Sequence, residues 1–156
     1  MIEIRPLRTD DASLLSASLQ QASEDDRKYF HPFDFSVEVI RLQLQKCVSD
    51  TFVGLFVENG IELAGFYMLR GVDEGYQSPM YGVFVGPKYR RKGLARLSLV
   101  HAMAVCRMRD YPSLLLKVYE SNINAVRLYE TMGFEILRKQ DGQLVMELSI
   151  DENASR

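Results

Sequence analysis

The sequence predicts a mixed α/β fold, with a mostly antiparallel sheet of six or seven strands, one parallel pair inside it, and about four flanking helices. Three observations carry that expectation. Asn59-Gly60 joins two apolar runs, and Asp141-Gly142 joins two more near the C-terminus. Both dipeptides tolerate positive φ at their two positions and so mark hairpins. Between them, Gly86-Pro87 ends one apolar run, a helical pattern follows Gly93, and Pro112 stops it before another apolar run. A strand, a helix of about fifteen residues and a returning strand make a crossover, which joins parallel neighbours.

In order, Ile2, Ile4 and Arg5-Pro6 read as a short first strand, with Pro6 implying an edge or an end. Thr9-Asp10-Asp11 offers a helix cap ahead of Leu14, Leu15, Ala17 and Leu19. Residues 22–35 read as an irregular segment, charged over 23–28 and dense in aromatics over 29–35, forming either a cover for the core or a pocket wall. Ser36 caps a helix expected to reach about Ser49. Strands at 51–58 and 61–70 form the first hairpin, and an acidic turn with Asp73 and Glu74 leads to a strand at 80–85. The helix after Gly93 sets Ala95, Leu99, Ala102, Met103 and Cys106 at core spacing. His101 lies about 12 Å along it from Gly93, too far for a catalytic part at its start. A strand at 113–119 precedes a helix capped by Ser121 or Asn122 and ended by Gly133. The closing hairpin follows, and residues 151–156 are expected to be a flexible tail.

The chain has 156 residues, enough for one domain with a sizeable core, expected over residues 1–150. A net charge of −2 argues against a nucleic-acid footprint. Cys47 and Cys106 match no metal spacing, so no metal is expected, and two free thiols suit a reducing compartment. No stretch has the length of a membrane span, and the N-terminus lacks a signal-peptide pattern. A cytoplasmic location without membrane or nucleic-acid partners is the expectation, and a homodimer stays open.

The chemistry concentrates between residues 83 and 96. Val83, Phe84 and Val85 finish a strand, and Arg90, Arg91 and Lys92 sit directly before a helix whose first turn has no carboxylate. Cations at the positive end of a helix dipole are unfavourable unless an anion completes the site. Gly93 and Ala95 leave room for one to approach the backbone, which reads as a pyrophosphate-binding loop.

At Arg90-Arg91-Lys92-Gly93-Leu94-Ala95, preceded by Val85-Gly86-Pro87, the chain resembles the GNAT superfamily of acetyl-CoA-dependent N-acetyltransferases, whose pattern there is Arg/Gln-x-x-Gly-x-Gly/Ala. A second match, Asn-x-x-Ala-x-x-Leu-Tyr-x-x-x-Gly-Phe, is met from Asn122 to Phe134. The resemblance implies that the parallel strands splay apart and that acetyl-CoA lies in the gap. Backbone groups of Val83, Phe84 and Val85 would then bind its pantetheine. N–H groups from Arg91 through Lys92, Gly93, Leu94 and Ala95 to Arg96 would hold its pyrophosphate, with Arg90 among the screening cations. Asn122 would contact the cofactor arm, and Tyr129 would act as general acid toward the thioester sulfur. Each has a plainer competitor: Asn122 as a helix cap, Tyr129 as a core tyrosine.

A base is not evident. Some N-terminal protein acetylases of the family carry Glu five residues before the Asn, where this chain has Lys117. Glu74, Tyr81, Glu120 and His31 are the candidates, alongside a water chain or an amine already deprotonated. No Cys or Ser suggests a covalent intermediate, so direct attack in a ternary complex is expected. The acceptor is expected to be a small-molecule amine, an amino sugar, amino acid or polyamine, suited by the acidic residues near 24–26 and 73–74. A peptide acceptor and a non-catalytic acyl-CoA sensor are the alternatives.

Overall fold

A computed structural model describes residues 1–150, so the tail expected at 151–156 lies outside the described residues. Seven strands form one sheet: β1 (Glu3–Pro6), β2 (Thr51–Val57), β3 (Glu62–Arg70), β4 (Met80–Val85), β5 (Ser113–Tyr119), β6 (Glu135–Gln140) and β7 (Gln143–Ser149), in the order β1-β2-β3-β4-β5-β7-β6. Every neighbouring pair is antiparallel except β4 and β5. Those two pair only at Met80–Leu115 and Tyr81–Leu116. Beyond them β5 stays with β7 to Tyr119 and β4 stays with β3 to Val85, so the parallel strands diverge.

Five α-helices cover the sheet: α1 (Ala12–Gln20), α2 (Glu24–Tyr29), α3 (Val37–Gln45), α4 (Leu94–Met108) and α5 (Ile123–Thr131). One face packs Leu99, Ala102 and Cys106 of α4 and Tyr129 of α5 against Leu114, Leu116 and Val118 of β5. The other packs Leu15 and Leu19 of α1, Ile40 and Leu44 of α3, and Phe35 against Phe52, Phe66 and Phe84. Side chains alternate between faces along a strand, so Tyr81 and Phe84 belong to opposite layers.

The turns behave as their dipeptides require. Asn59 and Gly60 have φ of 57° and 86°, and Asp141 and Gly142 have 53° and 78°. Pro6 ends β1, which forms an edge of the sheet among the described residues. Two expectations are corrected. Residues 24–29 are helical, because Ser23 Oγ accepts from the Asp26 N–H while the Asp26 carboxylate accepts from the Ser23 N–H, at 3.1 and 2.9 Å. The helix from Ser36 stops at Gln45 rather than near Ser49. The N–H groups of Val48, Ser49 and Asp50 donate instead to the Asp73 carboxylate, at 2.9, 2.6 and 3.1 Å.

The close approach of β3 and β4 fixes one glycine. A Cβ on Gly65 would lie 2.5 Å from the carbonyl oxygen of Phe84, a backbone atom with nowhere to move. Gly65→Ala is therefore expected to destabilise the protein by about 1–3 kcal/mol in urea denaturation, as overpacking generally does.

Candidate active site at the diverging strands

Strand geometry decides which backbone groups face the gap. The Gly86 N–H donates to Ala64 at 2.8 Å, and Leu115 donates to the Pro79 carbonyl at 3.0 Å. Alternation along β4 then turns Gly82 and Phe84 toward β3, and Tyr81, Val83 and Val85 toward β5. Of the three residues expected to offer backbone groups, Val83 and Val85 face the opening while Phe84 is bonded to β3. The Val85 carbonyl is met by Nε and Nη2 of Arg90, each at 3.2 Å.

The basic turn continues from a 3-10 turn at Pro87–Tyr89 into Arg91, at φ 61°, and Gly93, at φ 81°. Gly93 caps α4 without any side-chain hydrogen bond, the first turn has no acidic residue, and the first helical bond runs from the Leu97 N–H to the Gly93 carbonyl. The N–H groups of Gly93, Leu94, Ala95 and Arg96 thus lack helical partners, and space beside Gly93 is open. Arg90 differs from the expectation of a free cation. Its Nη1 lies 2.8 Å from Asp26 on α2, which leaves Arg91, Lys92 and Arg96 without an ion pair among the described residues. Unpartnered N–H donors, three cations and open space beside Gly93 give this corner the chemistry that a diphosphate requires.

Tyr129 sits on α5 with its ring 5.7 Å from that of Phe134, and its hydroxyl has no partner among the described residues. Burial pushes its phenol up to about 12. Tyr81 is only 3% exposed, and its hydroxyl likewise has no partner among the described residues. Burial first, then the neighbouring Tyr129 and Tyr67 phenols, push it well above the ordinary tyrosine value. A buried hydroxyl without a partner at the gap fits a polar group supplied from outside. Asn122 occupies the N-cap position of α5, yet its side chain makes no cap bond. The capping reading is thus met by position and not by a hydrogen bond, and the side-chain amide is unpartnered among the described residues.

On the opposite face of the sheet a cavity of about 550 Å³ opens beside the gap, within the range of small-molecule sites. Its floor includes Tyr81, Gly82 and Leu115, and its wall includes Tyr29, His31 and Pro32. That wall is docked on the end of β5 by Tyr29 Oη to Ser121 Oγ, at 3.1 Å, and His31 Nε2 to Tyr119 Oη, at 3.0 Å. The aromatic segment thus serves both purposes weighed for it, since Phe30, Phe33 and Phe35 pack into the core. Sequence reasoning missed α2, although Ser23-x-x-Asp26 is a capping signal.

The candidate bases separate. Glu74, Tyr81 and His31 line the cavity, whereas Glu120 pairs with Lys139 at 2.7 Å. Two of the five acids expected to serve an amine are engaged elsewhere, Asp26 with Arg90 and Asp73 with backbone N–H groups, while Glu74 lines the cavity. His101 holds the Tyr67 hydroxyl at 2.6 Å through Nδ1, a tie between α4 and β3.

Comparison with known proteins gives a consistent result. The profile of the family described as "Acetyltransferase (GNAT) family" matches residues 17–134. A peptidyl-lysine N-acetyltransferase of Salmonella typhimurium is 26% identical over 145 residues, covering 90% of this chain and 88% of that protein. The ribosomal protein bS18-alanine N-acetyltransferase of Escherichia coli is 36% identical over 77 residues, about half of each chain, at 49% and 50%. A solved GNAT acetyltransferase from Streptococcus pneumoniae superposes with a TM-score of 0.81 at 22% identity, over 97% of this chain and 100% of that one.

The Asp26–Arg90 pair yields a stability test. Burial raises the Asp26 carboxyl, but hydrogen bonds from Arg90 and Ser23 outweigh it and hold the group below the usual carboxylate range. Its contribution is present above the unfolded-state value and is lost as pH falls through the lower folded-state value. Asp26→Asn is expected to cost up to about 1 kcal/mol at neutral pH. Denaturation curves of the two proteins should converge in strong acid.

Proposed function

The chain belongs to the GNAT family of acetyltransferases, with acetyl-CoA as donor, and we propose that its acceptor is a small polar primary amine that attacks the thioester directly in a ternary complex. The observation that carries this reading is the half-open cavity on the far side of the gap from Tyr129, walled by Tyr29, His31 and Pro32. A space of about 550 Å³ accommodates an amino sugar, amino acid or polyamine and holds its amine near the diverging strands.

In this proposal the chain's own groups divide the work. The N–H groups from Gly93 to Arg96 hold the diphosphate, and Arg91, Lys92 and Arg96 balance its charge, while Arg90 braces the turn by joining Val85 to Asp26. Val83 and the Val85 N–H offer backbone groups to the pantetheine, much as an added strand does, and the Asn122 amide is available to the same arm. The donor supplies the acetyl group. Tyr129 keeps its proton at every physiological pH, because burial raises its pKa, and gives it to the departing thiolate. Neither cysteine suits a covalent step. Cys106 is buried in α4 with its thiol pushed up to about 11, and Cys47, just past the end of α3, donates to the Gln43 carbonyl at 3.2 Å and has its thiol raised by burial.

A second reading, transfer to a peptide amine, is favoured by the two protein-modifying relatives. Lys117, standing where some N-terminal protein acetylases of the family carry Glu, weighs against that subgroup alone. A competition assay separates the two, since saturating small amines should suppress acetylation of lysine and N-terminal peptides under the first reading and the reverse should hold under the second.

Tyr129→Phe is expected to lower kcat by about a hundredfold or more, with coenzyme A affinity nearly unchanged. The wild-type kcat should show no alkaline loss attributable to this phenol until pH nears 12. Turnover that survives the substitution would remove the acid assignment. Replacing Arg91 and Lys92 together by Ala should weaken coenzyme A binding several-fold in calorimetry, and the deficit should shrink as salt is added.

A further inference from the structure

Resting on the small-amine reading, we infer that the acceptor carries an anionic group, a carboxylate or a phosphate, which Arg70, Lys117 and Arg138 receive in the cavity. These three cations line it against a single carboxylate, Glu74. They come from three strands, and the sheet register brings them to one face. Lys117 and Arg138 both stand opposite Val145 of β7, so they flank it two strand spacings apart, about 10 Å. Arg70 stands opposite Met80, which itself stands opposite Leu115, one position on the same face from Lys117.

Arg5, Lys88, Arg90 and Lys139 each have a carboxylate within 4.0 Å, whereas Arg70, Lys117 and Arg138 have none among the described residues. The neighbouring acids are held away from them: Asp73 by three backbone N–H groups, Glu120 by Lys139, and Glu147 by the Ser113 hydroxyl at 3.1 Å. Phe33 lies 5.8 Å beneath the Arg70 guanidinium and restrains it.

A recess lined by three cations and one carboxylate carries a net positive field that acts on whatever enters. An unmodified polyamine is repelled there, and an amine tethered to an anion is drawn in. The same field disfavours the ammonium form of the amine, and the neutral form is the nucleophile. The cations thereby reduce the need for a dedicated base at the gap.

The test uses two matched pairs, L-ornithine against putrescine and glucosamine 6-phosphate against glucosamine, with release of the coenzyme A thiol as readout. At low ionic strength kcat/KM should favour the anionic member of at least one pair by about tenfold or more, and the pair that responds identifies the anion. The preference should shrink at high salt. It should be lost or reversed in Lys117→Glu/Arg138→Glu, both exposed positions, with Lys117→Gln/Arg138→Gln as a milder second variant. Turnover in which the non-anionic members do as well or better in both pairs overturns the inference and leaves the small-amine reading standing. If no amine is turned over, that reading fails, and calorimetry with N-acetylornithine and N-acetylputrescine decides the present one. Tighter binding of the carboxylate-bearing product supports it, and equal or absent binding overturns it.

Discussion

β4 and β5 are held together at only two residue pairs, Met80–Leu115 and Tyr81–Leu116, and after these each strand is claimed by its other neighbour. Antiparallel pairing with β3 on one side and β7 on the other pulls them apart. The crossover through α4 keeps them adjacent. Backbone groups of Val83 and Val85 are left facing an opening inside the sheet, where an unmet donor or acceptor costs about 1–3 kcal/mol. The protein answers one of these demands itself, by directing the Arg90 guanidinium to the Val85 carbonyl. The remainder suits a ligand that brings its own amides.

The opening also explains how the two faces of the sheet share one site. Tyr129 and the start of α4 lie on one side, and the cavity lies on the other. Among the described residues only the stretch beyond Tyr81 lacks the β4–β5 ladder that would seal the sheet. The Tyr81 hydroxyl is buried in the layer that also holds Tyr67 and Tyr129.

Arg90 connects the two sides mechanically. Through Asp26 it holds α2, and α2 together with the loop after it presents Tyr29 and His31 to the end of β5. The basic turn before α4 and the aromatic wall of the cavity are thus joined through one ion pair. Charge follows a similar logic on both sides, with Arg91, Lys92 and Arg96 at the helix start and Arg70, Lys117 and Arg138 around the cavity.

Signals that act within a few residues were legible in the sequence. Asn59-Gly60, Asp141-Gly142 and Gly133 each satisfy a local dihedral requirement, Pro112 stops a helix, and apolar spacing marks the buried side of α4, so the strands and their mixed topology follow. The same locality exposes the uncapped, carboxylate-free start of α4. Contacts between distant segments were decided by the tertiary structure. Nothing near Arg90 indicates that its partner is Asp26, nothing near Asp73 indicates that it will take three N–H groups from residues 48–50, and the side of β4 to which Phe84 turns depends on pairing with β3. Arg70, Lys117 and Arg138 line one cavity because strand order and register carry them to one face. Turn and cap preferences are energies of the local backbone, whereas the pairing of charges depends on distances that exist only once the sheet has formed.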